Sequence, residues 1–262
     1  MSARARLPKL SKFLYPKPMK TPLFLLVFAV TLTHSTQAFA FRFSPMVAEI
    51  ELGNKKHTQV FTLENPSEQK VPIQIEVFLR TTNSKGEEVR TKSQDFIIYP
   101  EQVVLLPNEK RNVRITWNGE VFAGDEKAYR VIASQVPVEF QESNSQPQQT
   151  GVNLNFLLQY IASVYVKPKG AHPAVKLESV EKTGEKSLDL TLFNSGSAHQ
   201  LIKVKSLKIF AGKKLIYEPK SFPEFENTNL LAKDRKTISL KMTTPLPTEE
   251  LRAEIEFRES AD

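Results

Sequence analysis

Apolar residues recur at every second position along much of this chain, and that rhythm excludes most folds. Val71, Ile73, Ile75, Val77 and Leu79 alternate with Pro72, Gln74, Glu76 and Phe78. Val113, Ile115 and Trp117 alternate with Arg114 and Thr116, and Leu188, Leu190 and Leu192 with Asp189, Thr191 and Phe193. Such alternation places one face of an extended strand in a core and the other in water. Turn-forming clusters separate the runs: Asn65-Pro66-Ser67, Pro107-Asn108-Glu109-Lys110, Thr183-Gly184-Glu185-Lys186 and Asn194-Ser195-Gly196-Ser197. Short strands with turn signals at this spacing predict antiparallel sandwiches. Seventeen prolines and seventeen phenylalanines against nine glycines favour strands and turns over helices. No long helical period occurs, although 248–250 could open a single helical turn.

Seven strands are expected before residue 167: roughly 42–52, 57–64, 71–80, 89–99, 102–106 with 112–117, 128–138, and 152–166. They fill one immunoglobulin-like sandwich, over 41–167. The polar stretch at 141–150 (QESNSQPQQT) can be read as an interdomain linker or as a loop. The loop reading is preferred, because the strand after it completes the sandwich. Residues 168–173, with a proline at each end, form the expected elbow. Residues 174–262 make a second, smaller β-sandwich of six or seven strands. The fold class is therefore all-β, with two sandwich domains.

The net charge of +7 suggests a nucleic-acid partner until the charges are located. Residues 1–40 carry six cations, Arg4 through Lys20, and no acid, so the rest of the chain is left near neutral with thirty cations and 29 acids. No broad electrostatic footprint for nucleic acid remains. Lys17 and Lys20 precede an apolar run at 23–32, and Ala38-Phe39-Ala40 follows. Basic, apolar and small-residue segments in that order predict a signal peptide over 1–40, cleaved before Phe41. Met19 is a plausible true start, which would make 1–18 an overcalled extension. The run is shorter than the ~20 residues of a membrane span, and no later stretch is apolar enough to be one. Cysteine is absent, which excludes disulfides, thiolate metal sites and lipidation on cysteine.

Enzyme motifs are sparse. His57, His172 and His199 have no metal-ligand spacing and read as surface histidines; no metal and no cofactor are expected. Ser179-Val180-Glu181-Lys182 fits S-x-x-K, but lies in a strand-like run without partner motifs. Adjacent carboxylates at Glu87-Glu88 and Glu249-Glu250 point to opposite faces of a strand and cannot act on one bond. The expectation is a protein that is not an enzyme.

The segment 152–166 (VNLNFLLQYIASVYV) is long for a strand. Val152, Leu154, Phe156 and Leu158 form an apolar row. It reads either as an ordinary core strand or as an edge strand that offers its row to another chain. In strand addition, main-chain hydrogen bonds supply affinity and alternate side chains supply specificity.

Here the sequence resembles the periplasmic pilus and fimbrial assembly chaperones. The resemblance rests on Leu63-Glu64-Asn65-Pro66, on Tyr99-Pro100-Glu101-Gln102-Val103, and on Leu106-Pro107-Asn108-Glu109 followed by Val113-Arg114-Ile115. Tyr129 to Pro137 (YRVIASQVP), Tyr165-Val166-Lys167-Pro168 and, in the second domain, Leu192-Phe193-Asn194-Ser195-Gly196 extend it. It implies two immunoglobulin-like domains set at an angle and a pilin-like subunit as the partner. That subunit's open groove would be filled by Val152, Leu154, Phe156 and Leu158, and it would be released at an outer-membrane usher-type platform. The family also anchors its subunit's C-terminal carboxylate on an arginine and a lysine. The aligned positions here are Ala48 and Ser163, which cannot do so; Arg42, Arg130 and Lys167 are the candidate substitutes. The expected function is an ATP-independent periplasmic chaperone. The alternative is a secreted structural or adhesive protein of a surface fibre.

Overall fold

The computed structural model describes residues 41–53, 57–83, 86–137 and 157–258. The first sandwich holds β1 (Arg42–Ser44), β2 (Val47–Glu51), β3 (Thr58–Glu64), β4 (Val71–Thr82), β5 (Glu88–Lys92), β6 (Phe96–Tyr99), β7 (Gln102–Leu105), β8 (Lys110–Trp117), β9 (Lys127–Gln135) and β10 (Gln159–Lys167). One sheet runs β1-β3-β8-β6; the other runs β2-β10-β9-β4-β5, with β7 also on β4. The alternating residues fall where their period places them. Ile73, Ile75 and Val77 face Phe61, Leu63, Val113 and Ile115 across one core, closed by Val131, Ala162 and Val164. Among the described residues no α-helix occurs, and no helix is long and apolar enough to cross a membrane.

Two expected strands divide. The strand expected at 42–52 breaks at Pro45: β1 pairs antiparallel with β3, whereas β2 joins the other sheet, parallel to β10. The strand expected at 89–99 also changes sheet. β5 lies on β4, the chain crosses at 93–95 to pair β6 with β8, and β7 returns to β4. The third break, at Pro107-Asn108, separates β7 from β8. Proline supplies no amide hydrogen for a ladder, and Asn108 takes φ 57°.

The second sandwich contains β11 (Val175–Gly184), β12 (Ser187–Asn194), β13 (Gln200–Leu201), β14 (Val204–Ala211), β15 (Lys214–Tyr217), β16 (Asn229–Leu230), β17 (Arg235–Lys241) and β18 (Leu251–Phe257). Two three-stranded sheets, β11-β12-β17 and β15-β14-β18, enclose Leu188, Leu190, Leu192, Leu207, Ile209, Ile238 and Leu240. Residues 248–250 form no helix; a 3-10 turn occurs at Pro223–Phe225 and buries Phe225.

Both sandwiches use one corner. Asn65 is fully buried, and its Nδ2 donates to the carbonyls of Gln69 (2.7 Å), Leu106 (2.9 Å) and Leu105 (3.4 Å). Asn194 is equally buried and donates to Ala198 (2.7 Å), Leu231 (3.0 Å) and Leu230 (3.2 Å). Each Oδ1 accepts the amide two residues on, from Ser67 and from Gly196. Each asparagine amide in turn donates to Glu109 O or Asp234 O. The opposing loops, Leu105-Leu106-Pro107-Asn108-Glu109 and Leu230-Leu231-Ala232-Lys233-Asp234, both place their fourth residue in the left-handed region, at φ 57° and 59°. A buried amide must be hydrogen-bonded, and the same side chain meets that need twice.

Candidate strand-addition site

Strand β10 is paired on both sides over only half its length. Along one side it meets β9 from Gln159 to Val166, and Gln135 N extends the ladder to Leu158 O. Along the other, β2 begins only at Val47, opposite Ser163, and Ser163 N donates to Met46 O. Among the described residues nothing pairs with this second side between Leu158 and Ala162. An unpaired run of main-chain donors and acceptors is a template for another strand.

The side chains of β10 alternate strictly. Tyr160, Ala162, Val164 and Val166 point into the core. Leu158 has the same parity and is half-buried against the end of that core, beside Tyr160. Leu157, on the opposite face, is 53% exposed. Val152, Leu154 and Phe156 lie outside the described residues.

The outward face of the same sheet carries the charged part of the site. Of the two positions where a cation was sought, Ser163 is on this face at 7% exposure, whereas Ala48, paired with Val164, is turned into the core at 8%. Ser163 is opposite Arg130 on β9, and Arg130 Nη1 donates to Ser163 Oγ. A cation therefore stands beside Ser163, supplied by the neighbouring strand. Arg42 is elsewhere, 3.8 Å from Glu64 in the other sheet, and Lys167 donates to Glu49 Oε2 at 2.8 Å. Of the three candidate substitutes, only Arg130 touches Ser163.

Two residues join Arg130 that the sequence did not single out for this role. Arg80 on β4 and Glu88 on β5 share its face, because Arg80 is paired with Ala128 and Arg90, and Glu88 with Thr82. The Glu88 carboxylate accepts from Arg130 Nε and Nη2, and lies 2.8 Å from Arg80 Nε and 2.6 Å from Arg90 Nε. Burial tends to raise this carboxyl, but hydrogen bonds from Arg130 and Arg90 and the charges of Arg130 and Arg80 overcome it and hold it at about 2. Burial and the adjacent Arg130 charge lower Arg80. Three guanidiniums surround one carboxylate, so positive charge is in excess. The alternation that turns Phe78 outward was visible in the sequence; the convergence of Arg80 and Arg130 on Glu88 was not.

This face ends where the second sandwich begins. Tyr165 stacks on His199 at 3.5 Å between ring centroids, and Asn229 Nδ2 donates to Tyr165 Oη at 2.6 Å. His199 is not a surface histidine: its side chain is 12% exposed and its Nδ1 sits 2.8 Å from Glu126 Oε1. The S-x-x-K pair is not assembled either. Ser179 Oγ donates to Glu181, and Lys182 Nζ donates to the carbonyls of Leu246 and Pro247.

The family described as "Pili and flagellar-assembly chaperone, PapD N-terminal domain" matches residues 43–172. No curated protein matches the chain in sequence. Among solved structures, a chain of the CsuC–CsuE chaperone–tip adhesion subunit pre-assembly complex, from archaic chaperone-usher Csu pili of Acinetobacter baumannii, is similar at TM-score 0.58 and 17% identity. The match covers 83% of this chain and 97% of that one. The class 5 fimbriae chaperone CfaA is similar at TM-score 0.51 and 14% identity, over 85% and 100% of the two chains. A chaperone–tip adhesin complex of CFA/I fimbriae biogenesis follows at 0.50 and 13%, over 86% and 100%. At such identities the likeness is one of fold.

Proposed function

Through residues 43–172 the chain belongs to the pili and flagellar-assembly chaperone family, and from that premise we propose that it captures pilin-like subunits by lending them strand β10. The observation that carries this reading is the side of β10 between Leu158 and Ala162 with which no described residue pairs, continuous in sequence with the row Val152, Leu154, Phe156 and Leu158. An incoming strand would hydrogen-bond to that side while the apolar row fills its groove. At ~1.5–3 kcal/mol per side chain, four such residues give roughly 6–12 kcal/mol before association costs. That is enough to hold a subunit and small enough to let it pass to an usher-type platform.

In this reading residues 1–40 are a signal peptide and the work is done in the periplasm. Residues 41–167 are the subunit-binding domain, 168–173 the elbow and 174–262 the second domain. Arg130 takes the place of the cation missing at Ser163, and would receive the subunit's terminal carboxylate. A fixed guanidinium fork suits a carboxylate better than an ammonium does.

The test is purification from the periplasm, identification of the bound chain by mass spectrometry, and repetition with Phe156→Asp. A charge on the donated row would be buried unpaired in the groove, so the variant is expected to lose its subunit. Normal recovery of the subunit with Phe156→Asp overturns the reading.

A further inference from the structure

The guanidinium fork on the outward face already holds a carboxylate of this chain. Arg130 spends Nε and Nη2 on Glu88 and Nη1 on Ser163. The Nε/Nη2 side of the fork is thereby filled, so a guest carboxylate that takes that side must move Glu88 aside. The position of Glu88 makes that movement easy. It begins β5, an edge strand whose five residues are all exposed, and no core side chain has to shift with it. Arg90, on the same strand and two residues away, already donates to Glu88 through Nε at 2.6 Å and can keep the displaced carboxylate. The charge count favours a guest as well. Arg80, Arg90 and Arg130 oppose the single Glu88, and neither Ala48 nor Ser163 adds a charge.

We propose that Glu88 is an internal stand-in for the client's carboxylate: it fills the Arg130 fork in the empty protein, is displaced on binding, and thereby sets how readily a client is released. The proposal rests on the reading of Arg130 as the client's anchor. Physically, an internal competitor lowers apparent affinity by the fraction of molecules in which the fork is free. A fork filled in nine of ten molecules weakens binding about tenfold. Between clients it also keeps a cluster of guanidiniums from standing without a counter-charge.

The probe is N-acetylglycine, a minimal C-terminal carboxylate, with N-acetylglycinamide as its neutral twin. Binding is read from the Nε–Hε resonances of Arg130 and Arg80 in the full protein. Glu88→Gln is expected to bind N-acetylglycine about tenfold more tightly than the parent, and neither protein should bind the amide. Glu88→Asp keeps the charge but withdraws it by one methylene, and should fall between the two. It serves as the second variant if removing the charge unfolds the protein. If Arg130→Ala abolishes binding while the Glu88 variants bind as the parent does, the stand-in role is overturned and the anchor survives. If Arg130→Ala binds N-acetylglycine as well as the parent, or if no form binds it, the anchor reading falls and the stand-in with it.

Discussion

Burial alone raises a carboxyl, and Glu88 departs in the other direction because guanidiniums from three strands meet it. A carboxyl held at about 2, against an ordinary 4.5, stabilises the fold at every pH where the unfolded chain is also ionised. The sign follows: this contribution is complete above about 4.5 and is lost as the pH falls toward 2. The parent should therefore exceed Glu88→Gln in denaturation midpoint at neutral pH, and the gap should close between pH 4.5 and 2.5. A gap independent of pH would mean that Glu88 is not the charged partner described. Residues of this kind were only half legible in the sequence. Arg130 was a candidate from its charge alone. Ser163 was suspect because a hydroxyl stood where a cation was sought. Glu88 drew notice only as half of an adjacent carboxylate pair, since two of its three partners, Arg80 and Arg130, lie 8 and 42 residues away in the chain and on other strands.

At the scale of elements, the turn Asn194-Ser195-Gly196-Ser197 joins a strand end to the elbow. Ser197 N and Ala198 N both donate to His172 O, and Ser195 N donates to Ala174 O. The backbone of 172–174 presses so close that a Cβ on Gly196 would stand 2.4 Å from Ala174 N and His172 O. Gly196→Ala must push the elbow away from the turn or distort the Asn194 corner, at a cost of ~1–3 kcal/mol. Thermal unfolding should show it as a lowered Tm. An unchanged Tm would mean that this close approach is absent in solution. The glycine was recognised as a turn residue from its neighbours; what makes it obligatory is the elbow packed against it.

Across the whole molecule, the two sandwiches are tied through Glu126, whose side chain is 1% exposed. Its carboxylate accepts from His199 N at 3.2 Å and faces His199 Nδ1, and its own amide donates to Ser197 O at 2.8 Å. Ala128, Tyr165 and Leu231 form a small apolar cluster at the same junction. Removing the carboxylate strands a buried imidazole and a buried amide, a loss of ~1–3 kcal/mol. Glu126→Ala should loosen the pair, visible in small-angle scattering as a larger maximum dimension and in denaturant as unfolding in two steps. A scattering curve identical to the parent's would show that the apolar cluster alone fixes the junction.

Period-two patterning determined which residues are strands and which of their faces are buried, because burial acts on one side chain at a time and leaves its mark on successive residues. Val71 to Leu79, Val113 to Trp117 and Leu188 to Leu192 could be oriented from the sequence for that reason. Pairing leaves no such mark. Whether β2 lies on β3 or on β10, where the chain changes sheet at Pro45 and at 93–95, and that no described residue pairs with the second side of β10 over its first half depend on main-chain hydrogen bonds. Those bonds are blind to side-chain identity and join distant segments. The guanidinium fork follows from the same rule: Ser163, Arg130, Arg80 and Glu88 meet because four strands stand in one order, and only the folded sheet decides that order.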